Sequence, residues 1–166
     1  LTPSLNKGLR LARGAYLARI DADDLCERHR LSRQLEFLEH NPDHILCGSS
    51  YTLIDEAGKP VRRKIKDFDD LAARWIAQFR TPVDHSTAMF RMTAVREHAL
   101  YYNESYRTAQ DFDYWLRLLA KGKVRVLREP LVQYRMHDAN ITRSLKPSQK
   151  RNLYEIAQAN FCSAWP

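Results

Sequence analysis

The chain has 166 residues, 44% of them hydrophobic, which is the size and content of a single domain with a core of its own. No stretch approaches the ~18 uninterrupted apolar residues of a membrane span, and the first residues carry no signal-peptide pattern. Lys and Arg number 27 against 20 Asp and Glu, and the resulting +7 favours anionic partners such as phosphates, nucleotides or acidic lipid headgroups. The basic residues are scattered and no nucleic-acid-binding module is present, so DNA and RNA are not expected partners. Cys26, Cys47 and Cys162 lie far apart without zinc or redox spacing, and read as free thiols in a reducing compartment. There is no initiator Met, and the chain is expected to be a piece of something longer.

The first predicted helix runs from a Ser4 cap to about Arg13, with Leu5, Leu9 and Ala12 at helical spacing and Gly14 as a stop. The run Tyr16–Ile20 then reads as a short buried strand. It ends abruptly in Asp21-Ala22-Asp23-Asp24. In open α/β sheets, ligands bind beyond the carboxyl ends of the strands, so these acids stand where such a sheet does its chemistry. Clustered carboxylates repel unless a cation or hydrogen-bond donors compensate. Asp21 and Asp23, two apart, suit a hard cation such as Mg²⁺ or Mn²⁺ shared with a phosphate. The blander reading is a strand end and a helix start, with Asp24 as the N-cap.

A second helix is predicted over about Glu27–His40, with Leu31, Leu35 and Leu38 as its apolar stripe and Asn41-Pro42 as its end. Ile45 through Ile54 reads as a strand, returned through the turn Glu56–Lys59 into Pro60–Ile65. The basic run Arg62-Arg63-Lys64, with Lys66, reads first as a charged edge strand that resists aggregation. A third helix begins at Asp67 with Leu71, Trp75, Ile76 and Phe79 expected inward. It leads to a loop-to-strand passage, His85–Arg91, with a His at its mouth. A short helix over 92–98 and an aromatic loop, Tyr101–Tyr106, come next. Thr108 is expected to cap the helix after them, with Phe112, Trp115, Leu116 and Leu119 as its apolar face. Asp111 falls in its first turn. It either compensates the helix dipole or serves as a general base. Two short strands, Val124–Leu127 and Pro130–His137, lead to a polar cluster with Asp138 and Asn140. A terminal helix from Pro147 carries Leu153, Ile156, Ala157 and Phe161.

Taken together, these segments resemble the family 2 glycosyltransferases, inverting enzymes of the GT-A fold. Leu5-Asn6-Lys7-Gly8 through Asp24 looks like the family's helix, strand and Asp-x-Asp motif. Ala109-Gln110-Asp111-Phe112-Asp113-Tyr114-Trp115 is similar to its Glu-Asp helix. Tyr134-Arg135-Met136-His137 with Asn140-Ile141 is similar to its Tyr-Arg-x-His segment, and His85-Ser86-Thr87 to its His-Pro-Thr strand. The resemblance covers about residues 4–142. It implies an α/β GT-A-like mixed sheet flanked by helices, one domain over 1–166, with the family's first nucleotide-binding strands lying before residue 1.

The resemblance also implies roles. Asp21, Asp23 and His137 would hold Mn²⁺ or Mg²⁺, with Asp23 the direct ligand, and Asp111 would be the catalytic base. Arg135, Asp24 and His85 would lie on the donor diphosphate, and Gln110 and Trp115 on the acceptor side. The donor would be a nucleotide-sugar, most commonly a UDP-sugar, and the acceptor a glycan or lipid-linked hydroxyl. By the same analogy the protein would work in the cytoplasm, peripheral to the inner face of an anionic membrane. Gln110 stands where the family has Glu, Ser86 where it has Pro, and Leu25–Arg28 lacks the usual Pro; a neighbouring charge is lost, but no metal ligand or base. Without the first strands, donor binding and turnover are expected to be weak. A non-catalytic GT-A-like carbohydrate-binding or scaffold module is the alternative.

Overall fold

Two parallel strands lie side by side at the centre of the molecule, and the rest of the sheet is laid against them. The computed structural model of the chain describes residues 1–137 and 146–164, with side chains through 137 and from 150 to 159. The elements begin with α1 (Thr2–Leu11), β1 (Tyr16–Ala18), β2 (Leu25–Cys26), α2 (Arg30–His40), β3 (His44–Ile54) and β4 (Pro60–Lys64). They continue with α3 (Asp70–Ile76), a 3-10 turn (His85–Thr87), β5 (Met89–Arg91), α4 (Met92–Glu97), α5 (Gln110–Leu119), β6 (Lys123–Arg135) and α6 (Lys146–Ala164). The sheet order is β1-β5-β3-β6-β2, with β4 on β3. β3 and β6 are parallel, in register from His44↔Lys123 to Ile54↔Arg135, and the other pairs are antiparallel.

Successive strand residues point to opposite faces, and both faces are covered. Leu46 and Phe90 join Leu9, Val95, Trp115 and Leu118 in the main core, beneath α1, α4 and α5. Cys47 and Met89 face the other way, onto Leu38 of α2. α6 packs Ile156 on Phe112 and Ala109, and Asn152 donates to the carbonyl and hydroxyl of Thr108 at 3.2 and 3.0 Å. The start of α5 is thereby braced from outside the sheet.

Several predicted features take a different form. The buried face of α2 is Arg30, Gln34 and Leu38, whereas Leu31 and Leu35 are exposed. The polar pair goes inside because loop and strand carbonyls there need donors. Gln34 Nε2 reaches the carbonyls of Cys47 and Thr87 at 2.9 and 2.8 Å, and Arg30 those of Arg19 and Ala88 at 2.7 and 3.3 Å. α3 starts later than Asp67, because Asp69 caps it by accepting the N–H of Ala72 at 2.8 Å. It buries Ala73, with Ala77 just beyond it, while Leu71, Trp75 and Phe79 are 77%, 68% and 67% exposed. The segment 123–135 is one strand, since register shifts around Ser49 and Ser50 absorb Pro130 without ending it. Ser4 and Thr108 cap nothing. The N-cap position before α1 is Leu1, with Pro3 in the first turn, and that before α5 is Ala109, whose φ of 60° is left-handed. Asp138, Asn140 and Ile141, and the side chains of Phe161 and Cys162, lie outside the described residues. Among the described residues, no helix is long and apolar enough to cross a membrane.

Candidate active site

The carboxyl ends of β1 and β6 open onto the same cavity. Its volume is about 580 Å³, and its walls include Asp21, Asp23, His137, Asp111, Gln110 and His85. Six positions singled out in the sequence, spread over more than a hundred residues, thus meet in one place. The loop after β1 carries the acids, the 3-10 turn carries His85 and Ser86, the start of α5 carries Gln110 and Asp111, and the chain just past β6 carries His137.

Each acid of the loop has its own partner. Asp23 accepts from the His137 ring at 2.8 Å, and this contact holds its carboxyl below the usual range. Asp21 is engaged by the guanidinium of Arg19 through both Nη atoms, and accepts from the Ser86 hydroxyl at 2.9 Å. Asp24 is buried and accepts the Arg135 N–H at 2.9 Å; its second oxygen has no partner among the described residues, and burial raises its pKa. Among the described residues no three His, Cys, Asp or Glu side chains form a ready cation cage.

Asp111 sits in the first turn of α5, and desolvation raises its pKa to about 6. A carboxyl so placed is a stronger base than one in water, yet still ionised at neutral pH. Gln110 beside it is only 7% exposed and lines the cavity, and its Oε1 has no partner among the described residues. His85 contacts the Tyr102 hydroxyl at 2.9 Å; burial, with Arg19 nearby, holds its pKa well below the ordinary imidazole value. It is therefore neutral in the cavity wall.

Three other assigned residues lie off the cavity lining. Trp115 is fully buried behind His85 and donates to the Val83 carbonyl at 3.1 Å, so it shapes the wall without facing an acceptor. Arg135 lies outside the cavity lining. Its guanidinium reaches the carbonyls of Asp23, Asp55 and Glu56 at 2.9, 3.1 and 2.8 Å, fastening the acid loop to the β3–β4 turn. Asp24 is turned onto β6, also outside the lining, and ties that strand to the loop. The roles of Arg19 and Ser86 were missed by sequence reasoning. An Arg within a short apolar run reads as the solvent side of a strand, and a Ser is silent until its neighbours are known.

A mixed sheet whose acid-bearing loop meets a basic carboxylate at a helix start defines a glycosyltransferase domain of the GT-A type. The chain belongs to glycosyl transferase family 2, whose sequence profile matches residues 1–99, more than half of its length. An uncharacterised glycosyltransferase of Methanocaldococcus jannaschii is 32% identical over 158 residues, 91% of this chain and 51% of the relative. The amylovoran biosynthesis glycosyltransferase AmsE of Erwinia amylovora is 30% identical over 122 residues, 74% of this chain and 45% of the relative. The chain thus spans about half the length of the curated relatives it matches. The crystal structure of S. aureus TarS 1-349 in complex with UDP-GlcNAc superposes with a TM-score of 0.69 over 93% of this chain and 45% of that one. At 15% identity that likeness speaks for the fold.

Proposed function

We propose that this domain serves a metal-dependent, inverting transfer of a sugar from a nucleotide-sugar, first a UDP-sugar, to an acceptor hydroxyl in polysaccharide, lipopolysaccharide or glycolipid synthesis. The observation that carries the reading is the meeting of the Asp23–His137 pair and Asp111 in one cavity. A carboxylate and an imidazole suit Mn²⁺ or Mg²⁺, which leave further positions for water and phosphate oxygen. Asp23 and His137 would hold the cation. When bound, it would supply Lewis-acid stabilisation of the departing nucleoside diphosphate.

The chain's own residues do the rest. Asp111 takes the proton of the acceptor hydroxyl, and its desolvated carboxylate is suited to that at neutral pH. Gln110 offers an uncharged amide next to it, to orient the acceptor without adding a second negative charge. Attack on the face opposite the leaving group inverts the anomeric carbon. The exposed strand β4, with Arg62, Arg63 and Lys64, would face anionic lipid at the cytoplasmic side of the membrane. Liposome binding that is unchanged by charge reversal on that strand would remove this last element.

The deciding experiment is a calorimetric titration of UDP with Mn²⁺ into the protein, with Asp23→Ala as control and GDP and dTDP as further nucleotides. Binding that requires both the metal and Asp23 is expected. Failure of all three nucleotides here, and again in the full-length protein, would leave a non-catalytic carbohydrate-binding or scaffold module instead.

A further inference from the structure

Arg19 leads into the acid loop and stands in the cavity wall, and neither its sequence context nor its motif assigns it a task. Its backbone is pinned on both sides. The N–H donates to the Ala88 carbonyl at 2.9 Å, and its carbonyl accepts from the buried Arg30 at 2.7 Å. Its side chain is 9% exposed, held by Asp21 and, at 3.0 Å, by the Ser86 hydroxyl. Such a guanidinium is preorganised, because nothing must be reordered when a ligand arrives.

A guanidinium has five N–H donors. Asp21 takes one from each Nη, and Ser86 takes the second of Nη1. The Nε–H and the remaining Nη2–H, which together form the side edge of the fork, make no other bond among the described residues. That edge matches two oxygens of one phosphate. Asp21 is meanwhile spent on Arg19: both its oxygens are engaged, one of them also by Ser86. A divalent cation on Asp21 would have to displace a charge-assisted bidentate pair, whereas Asp23 is paired with the His137 ring instead.

We propose that Arg19 is a fixed cationic contact for the donor's diphosphate, and that Asp21 is its clamp and not a ligand of the metal. This rests on the nucleotide-sugar reading above. It divides neutralisation of the leaving group between a built-in guanidinium and a cation held by Asp23 and His137.

The test is titration of UDP and of inorganic pyrophosphate, in EDTA and in Mn²⁺, into wild type, Arg19→Gln, Arg19→Lys, Asp21→Asn and Asp23→Asn. Arg19→Gln is expected to weaken both probes roughly tenfold, the worth of a hydrogen bond to a charged group. The factor by which Mn²⁺ improves binding should stay the same in that variant. Arg19→Lys, with charge but no fork, should lose several-fold and less than Gln, and it decides the matter if the Gln variant does not fold. Asp21→Asn should keep the Mn²⁺ enhancement, and Asp23→Asn should lose it.

Unchanged affinity in both Arg19 variants, loss of the Mn²⁺ enhancement in Arg19→Gln, or its loss in Asp21→Asn would each overturn the proposal. Metal- and Asp23-dependent binding that ignores Arg19 overturns this proposal alone. Absence of nucleotide binding in the wild type, in the full-length protein as in this chain, overturns the functional reading together with it.

Discussion

Asp111 carries the most consequential single charge in the cavity. Desolvation lifts its pKa from 3.8 to about 6, so the folded chain favours the protonated carboxyl. Its contribution to stability is therefore fully present below about pH 4 and is lost as pH rises through about 6, where ionisation of the buried group costs on the order of 3 kcal/mol. Transfer should move the opposite way, rising through pH 6 as the base ionises and levelling above it. Asp111→Asn should lower kcat about 10²–10⁴-fold while raising the urea midpoint at pH 8 and leaving it nearly unchanged at pH 4. A merely structural Asp111 would lose stability at pH 8 without reshaping the pH profile. That Asp23, His137 and Asp111 meet in one cavity was legible in the sequence, because short motifs mark all three. Arg19 and Ser86 were not, because their meaning is a contact across 67 positions of chain.

Helix faces show where periodicity stops being informative. The leucines of α2 mark a stripe, but only Leu38 is buried, since the space under the helix is filled with carbonyls that need Gln34 and Arg30. Gln34→Ala should cost about 2–3 kcal/mol by stranding the buried carbonyls of Cys47 and Thr87. Leu31→Ala should stay within about 0.5 kcal/mol, as surface substitutions do. α3 gives the same lesson with aromatics. Trp115→Ala should cost about 3–5 kcal/mol and Trp75→Ala less than about 0.5 kcal/mol, both read from denaturant midpoints. The reverse ranking would mean that the exposed face of α3 is packed in solution. Strand positions were easier to read. β3 is a long, mostly buried strand, and its apolar ends, Ile45–Cys47 and Leu53-Ile54, mark it although Gly48, Ser49 and Ser50 occupy its middle. Pro130 misled because it suggests a strand end, and only the partner strand shows that a register shift accommodates it.

At the scale of the whole molecule, the middle of β3 packs against the segment that walls the cavity. A Cβ on Gly48, at the middle of this central strand, would lie 2.8 Å from Val83 Cγ1 and 3.4 Å from the Thr87 hydroxyl. The segment between those two residues carries Asp84, His85 and Ser86 into the cavity wall, and it is held from behind by Trp115 on the Val83 carbonyl. It has no room to retreat, because Val83 is fully buried. Gly122 offers a matched control, since a Cβ there would meet Ile45 Cγ2 at 2.7 Å beside the start of β3, away from the cavity lining. Gly48→Ala and Gly122→Ala should each cost about 1–3 kcal/mol through overpacking, a fall in Tm of roughly 2–4 °C per kcal/mol for a chain of this size. The two should part in UDP titration. Gly48→Ala shifts the turn that carries Ser86, loosens the Arg19–Asp21 clamp and weakens UDP, whereas Gly122→Ala melts early but binds as wild type does. Equal loss of binding in both would mean that affinity follows global stability, and that the 83–87 segment does not transmit strain from the central strand to the site.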